Sequence, residues 1–487
     1  LQQPADPTNG PLAASHIFAA QTMRTKIVYD WNDLPAEAHT SLRQSLLDHV
    51  VRFGQGPQPV LTQLCLAVGV LALRMDSWPT VVNDLISSLT QPAESATAKL
   101  PCLLEMLTVL PEEAENYRVN VLPRRRDEFR ALMRAAGPQV LGLLGSVCTG
   151  CTGATDILQR MLRCISAWMR HVDLPTEQLA ASPVLPFGFS ALVSSSEDYS
   201  DAASDMMIEA VHFSQARRRA PQLHTTNRQP ANRQPSRLNP LCPPRAPQDA
   251  EKHQALVTLL LPAILQLVPA YDAAVAEATY DEDAARNLCR IFAESGEQYM
   301  RLLLQHPQAY MLPLAGAVLR GASHPEPEIA EITFNFWYVL SEEVASGRAT
   351  SDPKGLTPAK QEECKALFAP LFLQLIEHLR KLAELPPDSD SWTADTHDDF
   401  KRFRYAVGDA INDSCKVASS VSVIGQLMGT LQPKLAAFAA DPQAHWREIE
   451  GCVFCLRQSI SKNDPTFFSS PAVAQLLQLL PTLPEAG

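Results

Sequence analysis

Apolar residues recur every three or four positions through most of this 487-residue chain. Leu42, Leu46 and Val50 follow one another at four-residue steps, with Leu47 and Val51 beside them. Val60, Leu64, Val68 and Leu71 form the next stripe. Leu103, Leu104, Met106, Leu107 and Leu110 form another, which Pro111 is expected to close. The same spacing returns at Ile329, Ile332, Phe336, Val339 and Leu340, and again at Phe368, Leu371, Phe372, Leu375, Leu379 and Leu382. It gives each helix one apolar face. A single helix of this kind cannot bury its face alone, whereas stacked hairpins can. No alternating run of comparable strength predicts strands.

A repeat is written over these stripes in prolines. Pro35, Pro59, Pro79, Pro101 and Pro123 each open a new apolar-periodic segment in this reading. Proline suits a helix start, where the N–H has no partner and φ near −65° is wanted. Their spacing of 20 to 24 residues makes two segments 42 to 44 residues long. HEAT and armadillo units run to about 40–47 residues. The expected fold is therefore all-α: a HEAT-repeat superhelical solenoid of the ARM type, with hairpins stacked in a right-handed superhelix. Past Gly137 the period blurs but helices continue. They are expected over 156–170, 250–277, 281–305, 326–345, 358–384, 400–415, 421–440, 444–461 and 471–480.

One segment breaks the pattern. Residues 215–248 are rich in Pro, Arg, Gln and Asn, with almost no periodic apolar residue. Such a composition cannot bury enough surface to offset ordering entropy, so disorder is expected. The expected organisation is N-terminal repeats over 1–214, a Pro/Arg-rich insertion over 215–249 and central repeats over 250–487.

Composition narrows the function. The 39 prolines and 20 glycines suit many short helices better than Gly-rich catalytic loops. A net charge of −12 opposes a broad nucleic-acid surface and suits basic partners. The 11 cysteines are scattered through apolar stretches and read as reduced intracellular thiols. Cys148 and Cys151 form one C-x-x-C and Cys452 and Cys455 another, too far apart for a zinc ribbon. His49, His378 and His397 sit in amphipathic or acidic settings and read as surface or packing residues. No nucleotide, nucleophile-elbow or zinc-protease motif occurs, and nothing brings a nucleophile, base and orienting group together. No enzyme activity, cofactor or metal is expected. The most apolar stretch, 255–270, is interrupted by Pro262, Gln266 and Pro269 and is expected not to span a membrane.

Two charged clusters are candidate partner-binding sites. Arg124, Arg125 and Arg126 open a helix, where cations oppose the macrodipole and so invite a partner; a solvated face is the competing reading. Asp388, Asp390, Asp395, Asp398 and Asp399 form an acidic loop ahead of a helix expected to begin at Phe400. Carboxylates near a helix start are stabilised by its dipole, yet the charge density also suits docking of a basic partner.

Several runs carry a resemblance to a known family. They are FAAQTM at Phe18 to Met23, with Lys26 and Ile27 after it, and Leu34, Pro35 and the Ser41 to Leu47 run. LLEMLTVLPEE from Leu103 to Glu113, CRIF from Cys289 to Phe292 and FNFWY from Phe334 to Tyr338 follow. Asp398, Asp399 and Phe400, with Phe403 and Arg404, end the series. In this order they resemble the transportin-3 branch of the importin-β (karyopherin) family; importin-13 is a related branch that matches these runs less well. The resemblance implies a nuclear import receptor that shuttles between nucleus and cytoplasm. It implies Ran GTPase, nuclear pore proteins and serine/arginine-rich splicing-factor cargo as partners, with Ran as the basic partner of the acidic loop. Against the family pattern the first helix is missing, and the arginine-rich helix that reads phosphorylated cargo is expected beyond Gly487. A general HEAT-repeat scaffold is the alternative reading.

Overall fold

Proline sets several of the helix starts. The structure, a computed structural model, describes residues 10–90, 93–194, 197–215, 254–345, 356–438, 442–460 and 470–479. Pro35 is the N-cap of α2 (Ala36–Arg52), Pro59 lies in the first turn of α3 (Gln58–Arg74), and Pro79 stands just before α4 (Val81–Thr90). Pro123 opens α6 (Pro123–Gly150). Pro101 differs from expectation, because α5 (Ala93–Ala114) has already begun and runs through both Pro101 and Pro111. Each costs one intrahelical bond there. The surrounding leucines, buried from Leu103 to Leu110, keep the helix in place by packing.

The described residues form helices and short helical turns, with no strand among them. They divide into two compact units, Leu1–Ala263 and Ile264–Gly487. In the first unit α1 (Gly10–Tyr29), α3, α5, α7 (Thr155–His171) and α10 (Glu197–Ser214) pack side by side in one layer. Helices α2, α4, α6 and α9 (Val184–Val193) each pair with the layer helix that follows, and the short α8 (Thr176–Ala181) leans on α6. The boundary falls within α11 (Gln254–Leu265). In the second unit α13 (Glu282–Leu303), α16 (Phe334–Ala345), α18 (Ala394–Ala418) and α20 (Pro442–Gln458) form the layer. Their partners are α12 (Val268–Ala274), α14 (Leu312–Ala322), α17 (Pro358–Ala383) and α19 (Ser420–Phe438), with α15 (Pro327–Ile332) and α21 (Pro471–Leu479) alongside. Each unit is thus a stack of antiparallel helix pairs, the HEAT arrangement that the stripes predict.

Three expected helices differ in detail. The 250–277 stretch is two helices, because the chain turns at Gln266 and Leu267 and Pro269 begins α12 afresh. The 326–345 helix breaks at Thr333, whose hydroxyl donates to the Ala330 carbonyl at 2.7 Å. The helix expected from Phe400 starts six residues earlier, at Ala394, since Thr393 caps it by accepting from the Thr396 amide at 3.3 Å. Asp395, Asp398 and Asp399 therefore lie on a helix rather than in a loop. The 215–248 segment lies, but for Gln215, outside the described residues.

The pairs are held by large side chains in the seams. Trp78, Phe129 and Trp168 are fully buried in the first unit, and Phe292, Trp337, Phe368 and Phe372 in the second. Burial of such groups stabilises by about 1.5–3 kcal/mol each. Trp168 also donates its indole N–H to the Leu107 carbonyl at 2.8 Å, tying α7 to α5. By length and hydropathy alone, Pro123–Gly150 and Gln254–Ala274 could cross a membrane. The first instead packs on α7 and α5, and the second is broken by the turn before α12.

Candidate protein-interaction surface

The three arginines at the start of α6 have different fates. Arg125 donates to the carbonyls of Leu73 and Ala72, both at 2.8 Å, and Met75 at 3.1 Å. Leu73 and Ala72 carry the last carbonyls of α3, which have no partner within their own helix. Arg126 is buried and donates to the carbonyls of Ala114 (2.6 Å), Asn116 (3.1 Å) and Val119 (2.8 Å), closing the end of α5. Cations that oppose the dipole of α6 thus sit on the negative ends of two other helices. Of the triplet only Arg124 remains on the surface, 90% exposed and paired with Glu128 at 2.9 Å. The expectation of a three-arginine binding patch is corrected accordingly, because four of the six carbonyls that Arg125 and Arg126 reach, those of Ala72, Leu73, Ala114 and Val119, have no backbone donor of their own.

The acidic residues are all exposed. Asp388 accepts from the Trp392 indole at 3.1 Å, Asp390 faces Arg447 at 3.5 Å, and Asp399 pairs with Arg402. Asp395, in the first turn of α18, and Asp398, one turn on, enter no ion pair among the described residues. Behind them lies an aromatic cluster: Trp392 meets Phe400 edge-on at 5.2 Å, and Phe400 lies 6.3 Å from Phe403. Arg404 sits 4.2 Å over Phe454 and donates to both Glu450 oxygens, at 2.8 and 2.9 Å. The structure therefore brings the five carboxylates onto one stretch with a firm base. Such a surface attracts cations over a Debye length and holds them at a helix start.

The stripes gave no sign of a further set of polar residues that runs along the layer of each unit. Thr62 donates to Glu105 at 2.6 Å, and Arg160 reaches Glu105 at 3.4 Å and Gln58 at 2.6 Å. Arg24 meets the buried Glu113 at 3.2 Å, and burial raises that carboxyl above its ordinary value. In the second unit Arg301 pairs with Glu343 at 3.0 Å and Lys416 with Glu342 at 2.9 Å. Thr62 and Glu105 are 43 residues apart, Arg301 and Glu343 are 42, and Arg404 and Glu450 are 46. Polar partners one repeat apart are the signal that could have revealed the ladder.

The cysteines are spread through the packing. All ten described cysteines are free, and Cys452 and Cys455 are buried within α20. The Cys148 thiol faces the Pro183 carbonyl at 3.7 Å. Burial pushes Cys164 and Cys289 up to about 12, which leaves both as inert thiols. Among the described residues no group of His, Cys, Asp and Glu is placed to hold a metal ion.

Comparison with known proteins follows the same course along the chain. Residues 57–207 match the family of exportin 1-like proteins, and residues 280–381 match the second TPR domain of transportin-3/importin-13. An uncharacterised Schizosaccharomyces pombe protein is 28% identical over 96% of this chain and 45% of its own length. Transportin MOS14 of Arabidopsis thaliana is 27% identical over 96% of this chain and 45% of its own. Importin-13 of Homo sapiens is 25% identical over 96% and 44%. The chain thus spans under half the length of these curated relatives. The solved structure of importin-13 in its cytosolic state superimposes with a TM-score of 0.68 at 18% identity, over 96% of this chain and 49% of that one. That likeness shows the fold, a HEAT-repeat solenoid. In sequence and in fold the chain is thus similar to karyopherins of the importin-13 and transportin type along most of its length.

Proposed function

We propose that this chain belongs to a nuclear import receptor of the transportin-3 type, which binds Ran GTPase and carries serine/arginine-rich splicing factors between cytoplasm and nucleus through contacts with nuclear pore proteins. The observation that carries this reading is the length of the match: karyopherin similarity runs over 96% of the chain, and one matched model is that of transportin-3/importin-13. The receptor works by binding alone, without catalysis or cofactor. Within it, the acidic start of α18 is the surface for basic residues of Ran. Asp395 and Asp398 support this role, because both are exposed and unneutralised on a capped helix.

The test is a titration of the chain with Ran loaded with a GTP analogue, at two salt concentrations. The Asp398→Lys/Asp399→Lys variant should bind at least about tenfold more weakly, with a flatter salt dependence. Wild-type affinity in that variant would remove the docking role and leave Asp399 with its local pair to Arg402. No Ran binding by the unaltered chain would favour a general scaffold.

A further inference from the structure

The loop between α5 and α6 shows two large apolar side chains to solvent, Tyr117 at 61% and Leu122 at 76% exposure. Exposed apolar side chains on a floppy loop would be unremarkable, but this loop is clamped from several sides. Arg126 holds three of its carbonyls from below, at Ala114, Asn116 and Val119. Its guanidinium also lies 4.9 Å beneath the Tyr117 ring. Arg130 grips both Glu115 oxygens at 2.6 Å and donates to the Tyr117 hydroxyl at 3.0 Å. Asn116 donates to Glu113 at 2.9 Å and accepts from the Arg118 amide at 3.1 Å. Val119 is buried between these contacts. The Tyr117 ring fixed in this way, with Leu122 held through its carbonyl by the Arg126 amide at 3.1 Å, can bind with little further loss of loop entropy, as interface anchors do.

The charge around them selects the partner. Between positions 115 and 130 there are five arginines and three carboxylates, in a chain whose net charge is −12. All three carboxylates are already met by arginine: Glu115 and Asp127 by Arg130, and Glu128 by Arg124. Arg118 enters no ion pair among the described residues and lies on the exposed side, next to Tyr117. One spare cation beside two apolar anchors fits a peptide better than a nucleic acid, which needs a row of cations for successive phosphates.

We propose that this loop is a docking surface for a short acidic segment of a partner protein, one that covers Tyr117 and Leu122 with apolar side chains and sets a carboxylate on Arg118. The surface lies in the first unit and does not depend on Ran binding.

A displayed library of short random peptides, selected on the full chain and counter-selected on Leu122→Ser/Arg118→Glu, tests it. Enriched peptides should carry Leu, Phe, Trp or Met flanked by Asp or Glu. Their affinity should fall about tenfold in Leu122→Ser and in Arg118→Glu taken singly, and should weaken with salt. Arg118→Gln, which leaves the backbone amide bonded to Asn116, gives a second counter-selection if the double variant melts early. Selection of basic peptides, or of none that discriminates the variants, would overturn the proposal. So would a single-stranded oligonucleotide or an anionic vesicle that binds the loop in place of peptide.

Discussion

Arg125 and Arg126 show how far the role of a residue can lie from its place in the chain. Both stand in a run of three cations at a helix start. Their partners are carbonyls some 50 residues back for Arg125 and 7 to 12 back for Arg126. Truncating Arg126 leaves the Ala114 and Val119 carbonyls without a donor in a buried setting. Arg126→Ala should therefore cost about 2–5 kcal/mol. Arg124→Ala removes only an exposed i,i+4 pair and should stay within about 0.5 kcal/mol. The chain holds two units, so local hydrogen exchange at the last turn of α5 is a better measure than a single melting curve. Equal protection in the two variants would mean that water serves the α5 end as well as Arg126 does. The charge of the triplet was legible in the sequence. The direction of each side chain was not, because it depends on which helix ends the fold brings beside the start of α6.

The stripes predicted most helices to within a few residues, since the apolar face is both the sequence signal and the cause of packing. They were least reliable where a side chain's hydrogen bond decides the end of the helix. Thr393 starts α18 ahead of the apolar run, and Thr333 divides α15 from α16. Proline was also an uneven marker, because packing carries α5 across Pro101 and Pro111. Helix crossings hold information of another kind. A Cβ on Gly296 would lie 2.4 Å from the Phe336 ring, where α13 crosses α16, and that ring is fully buried against its neighbours. Gly296→Ala should destabilise the second unit by about 1–3 kcal/mol. At Gly142, on the open side of α6, nothing lies within 4 Å of an added Cβ. Gly142→Ala should stabilise by about 0.5–1 kcal/mol through helix propensity. Thermal unfolding of the two variants beside the parent checks both signs, and a neutral Gly296→Ala would mean that the α13–α16 crossing has slack.

At the level of the whole chain, charge decides what can be bound. A phosphorylated serine/arginine repeat is densely negative, and arginine in bidentate geometry is the group that holds phosphate. This chain has a net charge of −12, and two arginines of its structured cluster are committed to helix ends. Residues 1–487 should therefore bind a phosphorylated repeat no better than the same peptide without phosphate. A longer chain that includes an arginine-rich helix should prefer the phosphorylated form. Side-by-side titration at one salt concentration decides the matter, and a preference for phosphate in residues 1–487 would place a phosphate reader here. The acidic surface was legible in the sequence as a run of Asp. Its aromatic base and the capped helix under it came only with the fold, since Phe403, Phe454 and Glu450 are brought together across α18 and α20.

The arginine ties at the start of α6 also bear on how this unit behaves as a spring. Arg125 anchors α6 to the end of α3, and Arg126 anchors it to the end of α5. Three successive helix pairs are thereby lashed together at one point by bonds to backbone, whereas their other joints rely on side-chain packing and on isolated polar pairs such as Thr62 with Glu105. A pull along the stack would lengthen the packed joints by small sliding steps. It would meet the lashed segment as a stiff link that yields only when charged bonds to backbone part together. Compliance should therefore be uneven along the unit, with bending concentrated away from positions 72 to 126.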